Sequence, residues 1–340
     1  MQTTMEARPV ATGRWRHGLV VLAALAAVGL ALRLAGDAGG PQLRTFVLVF
    51  SSLLIEAFPF ILLGAVVSGA IEVYVPAAAF ARLARLPRGV QMPVAGLGGF
   101  AFPVCECGSV PVARRLAMKG LAPAAAVTFM LAAPILNPVV LVSTAVAYRG
   151  RDVLWPMVLG RAGLGLVAAL AVGWIVARQA RGELLRARPE DDHEHEEHRA
   201  SGDGVRRRRW PAFFEHVTTD FILLGKYLII GAAVAAALQT FVPQSIIGAV
   251  ADAPILNILA MMALAGVLSL CSESDAFVAA SFVQFGMGAQ LAFLVFGPMV
   301  DAKLGFLYAG TFSRGFLRTV VVAVATITLA GALWLEVFFG

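Results

Sequence analysis

Apolar residues along the chain fall into blocks of about 20, the length at which a helix crosses a bilayer core ~30 Å thick. The blocks cover residues 18–34, 44–75, 121–147, 153–177, 213–242, 289–311 and 315–337, and each reads as a membrane-spanning helix. Arg14, Arg16 and His17 precede the first, as in a signal sequence, but Arg33-Leu-Ala-Gly36 is a poor cleavage site, so that block reads as a retained span. Two further blocks do not fit a simple span. Residues 91–119 are interrupted by Pro103-Val-Cys-Glu-Cys-Gly108 and Pro111, and residues 252–286 by Cys271-Ser-Glu-Ser-Asp275. Both read as re-entrant or broken helices. Irregular polar backbone persists at membrane depth only where protein or a watery cavity satisfies it.

The hydrophilic stretch 178–212 separates two halves. It carries Arg178, Arg181, Arg186, Arg188, Arg199 and the run Arg206 to Arg209, so it reads as a cytoplasmic linker. The halves resemble each other. Ile61-Leu-Leu-Gly64 with Ile71-Glu-Val-Tyr-Val-Pro76 lines up with Leu228-Ile-Ile-Gly231 and Leu238-Gln-Thr-Phe-Val-Pro243. Cys105 then falls on Cys271, Gly120 on Gly286, Pro134 on Pro298 and Asn137 on Asp301. A second match, Ala133-Pro-Ile-Leu-Asn137 with Ala253-Pro-Ile-Leu-Asn257, lies in a different register. The first broken block is basic on both flanks, with Arg82, Arg85 and Arg88 before it and Arg114, Arg115 and Lys119 after it. The second has no Lys or Arg from Phe241 to Ala302. Positive-inside bias therefore puts both ends of the first block inside and both ends of the second outside. The predicted fold is an all-α, polytopic transmembrane bundle of two pseudo-symmetric, inverted repeats with re-entrant or broken helices. A parallel repeat or unrelated halves is the alternative. The expected organisation is a tail and extra helix over 1–43, a first membrane repeat over 44–177, the charged linker over 178–212 and a second repeat over 213–340.

Composition agrees with the pattern. Of 340 residues, 59% are hydrophobic and 14% charged, and mean hydropathy is +0.81. A soluble domain carries roughly 25% charged residues, so a soluble globular fold is excluded. The net charge of +6 and pI of 9.7 arise from basic residues at the ends of apolar blocks. That is an orientation signal toward a lipid bilayer and not a nucleic-acid surface. The chain encodes no Walker A motif, so a gradient or a separate subunit must drive any transport. No cofactor site is read.

The three cysteines, Cys105, Cys107 and Cys271, all lie at the two breaks. Thiolates select soft ions, and a trivalent arsenic or antimony centre or Cu(I) fits three converging thiols. The alternative is that cysteine packs here as a small apolar residue. Glu106, Glu273 and Asp275 stand beside the thiols, and a carboxylate at membrane depth marks an ion or proton path by default. Their alternative is an interfacial cap or a partner for Arg114 or Lys303. Asn137 and Asp301 follow Pro134 and Pro298, where they line the same cavity or bond helix to helix. Glu56, Glu72, Lys226 and Arg161 are assigned to interfaces or helix pairs. The tract Asp191-Asp-His-Glu-His-Glu-Glu-His198 reads as a solvated acidic linker or a metal-binding tract, and no firm metal site is assigned.

Three stretches resemble the predicted permeases that include the ArsP organoarsenical efflux permeases. They are Pro103-Val-Cys-Glu-Cys-Gly-Ser-Val-Pro-Val-Ala-Arg-Arg-Leu116, Phe129-Met-Leu-Ala-Ala-Pro-Ile-Leu-Asn-Pro138 and Cys271-Ser-Glu-Ser-Asp-Ala-Phe-Val-Ala-Ala-Ser-Phe282. The resemblance implies a secondary permease of the cytoplasmic membrane that exports trivalent organoarsenicals by proton antiport. Cys105, Cys107, Cys271, Glu106, Asn137 and Asp301 would then bind the solute, and Glu273 and Asp275 would exchange the proton. A permease for another metal or small solute with structural cysteines, and a membrane thiol-redox protein using Cys105 and Cys107, are the alternatives. C-x-C disulfides close a strained ring, which counts against the last.

Overall fold

The computed structural model describes residues 40–75, 86–101, 104–178, 209–241 and 254–339. The expected span 18–34, Pro103 and most of the linker, including its acidic-histidine tract, lie outside them. The described chain is all-helical. Its helices are α1 Gly40–Tyr74, α2 Arg88–Ala101, α3 Glu106–Met118, α4 Pro123–Leu136, α5 Pro138–Ala147 and α6 Leu154–Val176, then α7 Arg209–Phe241, α8 Pro254–Leu268, α9 Asp275–Ser281, α10 Met287–Phe296, α11 Ala302–Thr311 and α12 Arg314–Phe339. Five segments among them are long and apolar enough to cross a membrane, counting α4 and α5 together as Pro123–Ala147. All five match predicted spans. The predicted span 289–311 is instead two short helices, α10 and α11, separated by residues 297–301. Apolar Gly297, Met299 and Val300 conceal that break in a hydropathy pattern.

Contacts between helices give their directions. Tyr74 lies against Phe213, Phe58 against Phe221, and Leu53 packs with Ala232 and Ala235, so α1 and α7 are antiparallel. Leu164 packs at Gly331, and Leu335 at Gly160, so α6 and α12 are antiparallel too. Met92 of α2 and Ala124 of α4 both reach Gly173 of α6, while Ala133 of α4 reaches Gly99 of α2. Helices α2 and α4 therefore run side by side, and α3 between them in sequence must turn back. Lys119, just past α3, lies at the end of α1, where its ammonium donates to the carbonyls of Glu72 (2.5 Å) and Val75 (3.0 Å). The α2–α3 block is thus a hairpin that starts and finishes at one end of the bundle.

The α8–α9 block is a hairpin from the opposite end. Helix α8 runs beside α10, with Ala265 at Gly297. Helix α9 returns to the level of Arg151, which donates to Ala280 O at 3.0 Å, and of Gln290, which donates to Phe282 O at 3.1 Å. Ser269 makes this turn with φ +48°, the one left-handed non-glycine backbone among the described residues. Its hydroxyl donates to Gly266 O (3.1 Å) and accepts from Ala302 N–H (3.2 Å), so the residue that ends α8 also satisfies an orphan donor at the start of α11. In the first hairpin Pro111 lies inside α3 and does not end it. The turn is confined to residues before Glu106.

The helices sort into two groups. Helices α1, α3, α7 and α11 pack on one another, and the rest assemble around α4, α6, α10 and α12. The groups touch mainly where α3 meets α4. Within the first group two glycines let backbones approach. A Cβ on Gly64 would lie 2.5 Å from Gly108 Cα, and one on Gly231 would lie 2.9 Å from Lys303 Cα. Gly64 and Gly231, matched in the sequence alignment, thus do the same work against α3 and α11. Substituting Gly64 by Val should cost about 3 kcal/mol, at the high end for overpacking because backbone cannot move aside. Thermal unfolding of the detergent-solubilised protein should show it, with Gly89→Val, which meets open space, as the unaffected control.

Candidate functional site

The two hairpin tips meet inside the bundle. Cys105 is the N-cap of α3 and Glu106 its first residue. Ser272, in the second tip, donates its hydroxyl to Glu106 Oε2 at 2.9 Å. All three thiols are unbridged and buried, as are Glu106 and Ser272. The third element at the meeting point is α11. Asp301 is its N-cap, accepting from Leu304 N–H through Oδ1 at 2.6 Å. Lys303 Nζ lies 3.5 Å from Glu106 Oε1, 3.8 Å from Asp301 Oδ2 and 4.0 Å from Cys271 Sγ. Glu106, Asp275 and Asp301 all stand at helix N-termini, where the macrodipole favours a carboxylate.

Asp275 is held differently from its neighbours. Arg161, fully buried on α6, grips it with a two-pronged pair, Nη1 to Oδ1 at 2.9 Å and Nη2 to Oδ2 at 2.7 Å. The same guanidinium donates to Thr144 Oγ1 at 2.9 Å and to Ser272 O at 3.1 Å. It therefore ties α5, α6 and the second tip together. Glu273 is half-buried, and its buried Oε2 accepts no hydrogen bond. Ser274 reaches across to Glu56 Oε1 at 3.4 Å, near the middle of α1.

Of the residues singled out in the sequence, the structure brings Cys105, Glu106, Cys107, Cys271 and Asp301 to the meeting point, with Glu273 and Asp275 on the second tip. Asn137 is not drawn into this polar cluster. It caps α5, accepting from Val139 N–H at 2.9 Å. Asn137 and Asp301 thus share a role as helix caps. Sequence reading placed Arg161 at an interface or helix pair. It is instead a buried cation gripping a hairpin tip, and its signal was a lone charge inside a 23-residue apolar helix. Lys303 entered only as a carboxylate's alternative partner, and that pairing is present. Nothing in the pattern marked Ser272 as the bridge between tips.

The ArsP_1 family model, described as a predicted permease, matches residues 42–336. The chain belongs to this predicted-permease family. It is 42% identical to the UPF0718 protein YcgR of Bacillus subtilis strain 168 over 286 residues, 84% of this chain and 95% of that relative. It is 34% identical to a putative two-component membrane permease complex subunit of Streptococcus mutans serotype c over 273 residues, 79% of this chain and 87% of that relative. No solved structure matches the chain. Family and apolar helices together make this a multi-pass membrane protein.

In this permease a second ionic cluster anchors the first hairpin. Arg115 of α3 pairs with Glu72 of α1 (3.6 Å) and Asp220 of α7 (3.5 Å), Ser68 donates to Asp220 at 2.9 Å, and Lys119 pairs with Glu72 at 3.6 Å. The two tips are therefore fastened to different groups, the first to α1 and α7 and the second to α5 and α6. Removing one partner of a buried ion pair strands a charge and costs ~3–5 kcal/mol, whereas apolar replacement of both is often neutral. Asp275→Leu and Arg161→Met should each lose about that much stability, and the double variant should recover most of it. A double-mutant cycle on thermal or chemical unfolding in detergent measures the coupling.

Proposed function

We propose that this permease is a secondary transporter of the cytoplasmic membrane that exports a thiophilic solute, such as a trivalent organoarsenical, by proton antiport. The observation that carries this is the Ser272–Glu106 contact at 2.9 Å, which joins the two cysteine-bearing tips in one buried site. Cys105, Cys107 and Cys271 bind the soft centre, since sulfur suits such centres better than oxygen or nitrogen does. Glu106 and Asp301 line the same site, and Asn137, which caps α5, stands apart from it. Glu273, whose buried Oε2 accepts no hydrogen bond, exchanges the proton, as carboxylates at membrane depth commonly do, while Asp275 stays paired with Arg161. The solute reaches the site from one face when the α1–α3–α7–α11 group tilts from the remaining helices, and from the other face when the tilt reverses. The tips are fastened to different groups, so such a tilt parts them. The 178–212 linker lies on the cytoplasmic side in this reading, and two inverted repeats account for hairpins entering from opposite ends. The Streptococcus mutans relative is named as a complex subunit, and by extension a second component works with this chain.

The test is accumulation of labelled methylarsenite in everted membrane vesicles, with and without an imposed pH gradient. Wild type should accumulate the label with the gradient and lose it when the gradient is collapsed. Cys271→Ser should lower accumulation at least tenfold while retaining expression. If Cys271→Ser transports as wild type does, the thiol site is wrong. If wild type moves no arsenical but another solute is found, the arsenical is wrong and the permease stands.

A further inference from the structure

Lys303 sits in surroundings that its ion pairs alone do not explain. Its side chain is 1% exposed, and its ammonium faces three acceptors on two hairpin tips and one helix cap: Glu106 Oε1, Asp301 Oδ2 and Cys271 Sγ. The distances of 3.5, 3.8 and 4.0 Å all exceed the 2.7–2.9 Å of a tight charge-assisted hydrogen bond. Glu106 Oε1 and Asp301 Oδ2 are both buried and accept no hydrogen bond from any described group. The ammonium therefore lies loosely at the centre of an acceptor shell instead of being locked to one member. Two carboxylates against one ammonium leave one formal negative charge in excess. Arg161 does not offset it, because Asp275 already takes that guanidinium on two oxygens. Glu273 and Glu56, which lie beside the same tips, add to the negative side.

Close backbone contacts seat the two helices that carry the carboxylates. Gly64 presses on Gly108, two residues after Glu106, and Gly231 presses on Lys303, two residues after Asp301. The two carboxylates thus stand at matching places on α3 and α11, each fixed by a backbone contact. Where α3 has a glycine, α11 has a lysine whose flexible stem returns its charge between them. A lysine ammonium is a compact point charge on a four-carbon stem, well suited to leaving and refilling such a place.

We infer that Glu106 Oε1, Asp301 Oδ2 and Cys271 Sγ form a monovalent-cation site, filled in this state by the chain's own Lys303 ammonium. A free cation no larger than methylammonium takes the site when that ammonium withdraws, and the buried acidic excess turns anions away. Lys303 is then the tethered competitor that sets when the site is open to ions. This goes beyond the export reading, which it needs only for its transport arm.

The experiment uses the full-length protein in detergent and in proteoliposomes. Lys303→Met should lower the melting temperature in choline chloride, and methylammonium or potassium chloride at the same ionic strength should restore it in a saturable way. Wild type should show no difference among these salts. The triple variant Glu106→Gln/Asp301→Asn/Lys303→Met, which removes both carboxylates together with the ammonium, should be stable in choline and indifferent to the small cations. In proteoliposomes, transport by Lys303→Met should fall at least tenfold in choline and recover with methylammonium. A Lys303→Met protein that melts identically in all salts overturns the site. If the single variant does not fold in any salt, the triple variant decides: a cation-dependent melt there, or no folding either, overturns it. Melting does not depend on the solute, so loss of the arsenical reading alone leaves this result intact.

Discussion

A charge inside a bilayer cannot be left to water, and the Arg161–Asp275 pair is where this constraint shapes the molecule most. One guanidinium in an apolar helix needs acceptors on every side. It finds a carboxylate, a hydroxyl and a carbonyl, and three of those four bonds come from the second hairpin. The irregular turn at 269–274 survives at this depth because Arg161, Ser269 and the start of α11 take up its polar groups. With the turn fixed, Ser272 is aimed at Glu106, and the two tips become one site.

The same logic divides the site between two groups of helices. Glu106, Cys107, Asp301 and Lys303 belong to helices seated on α1 and α7. Cys271, Ser272, Glu273 and Asp275 belong to a tip seated on α5 and α6. Few polar bonds cross between these sets, and those that do, such as Ser272 to Glu106 and Ser274 to Glu56, are single hydrogen bonds. Each is worth about 1 kcal/mol net, more where a charge takes part. The bonds holding each tip to its own group are multiple and charged.

Much of this could be read from the residues alone. Long apolar blocks gave α1, α6, α7 and α12, because hydropathy reports lipid-facing length directly. The positions of the two breaks were visible in Cys105-Glu106-Cys107 and Cys271-Ser-Glu-Ser-Asp275, since polar residues have no other reason to interrupt such blocks. Basic flanks distinguished hairpins from spans. Partners were not visible. Arg161 and Asp275 are 114 positions apart, and only the folded chain shows that they meet. Nor did the residues tell Asn137 from Asp301. Both cap helices, but α11 is laid against α3 and α5 is not. The break at 297–301 went unseen because it is made by glycine and apolar residues whose hydropathy matches a helix.

The glycine contacts at Gly64 and Gly231 have a consequence for how such a site can change over evolutionary time. Backbone pressed on backbone leaves no rotamer to adjust, so the seating of the Glu106 main chain on α1 and of the Asp301 main chain on α7 is set by the glycines. With those backbones seated, change at Glu106 and Asp301 is left to the reach of their side chains, one methylene at a time.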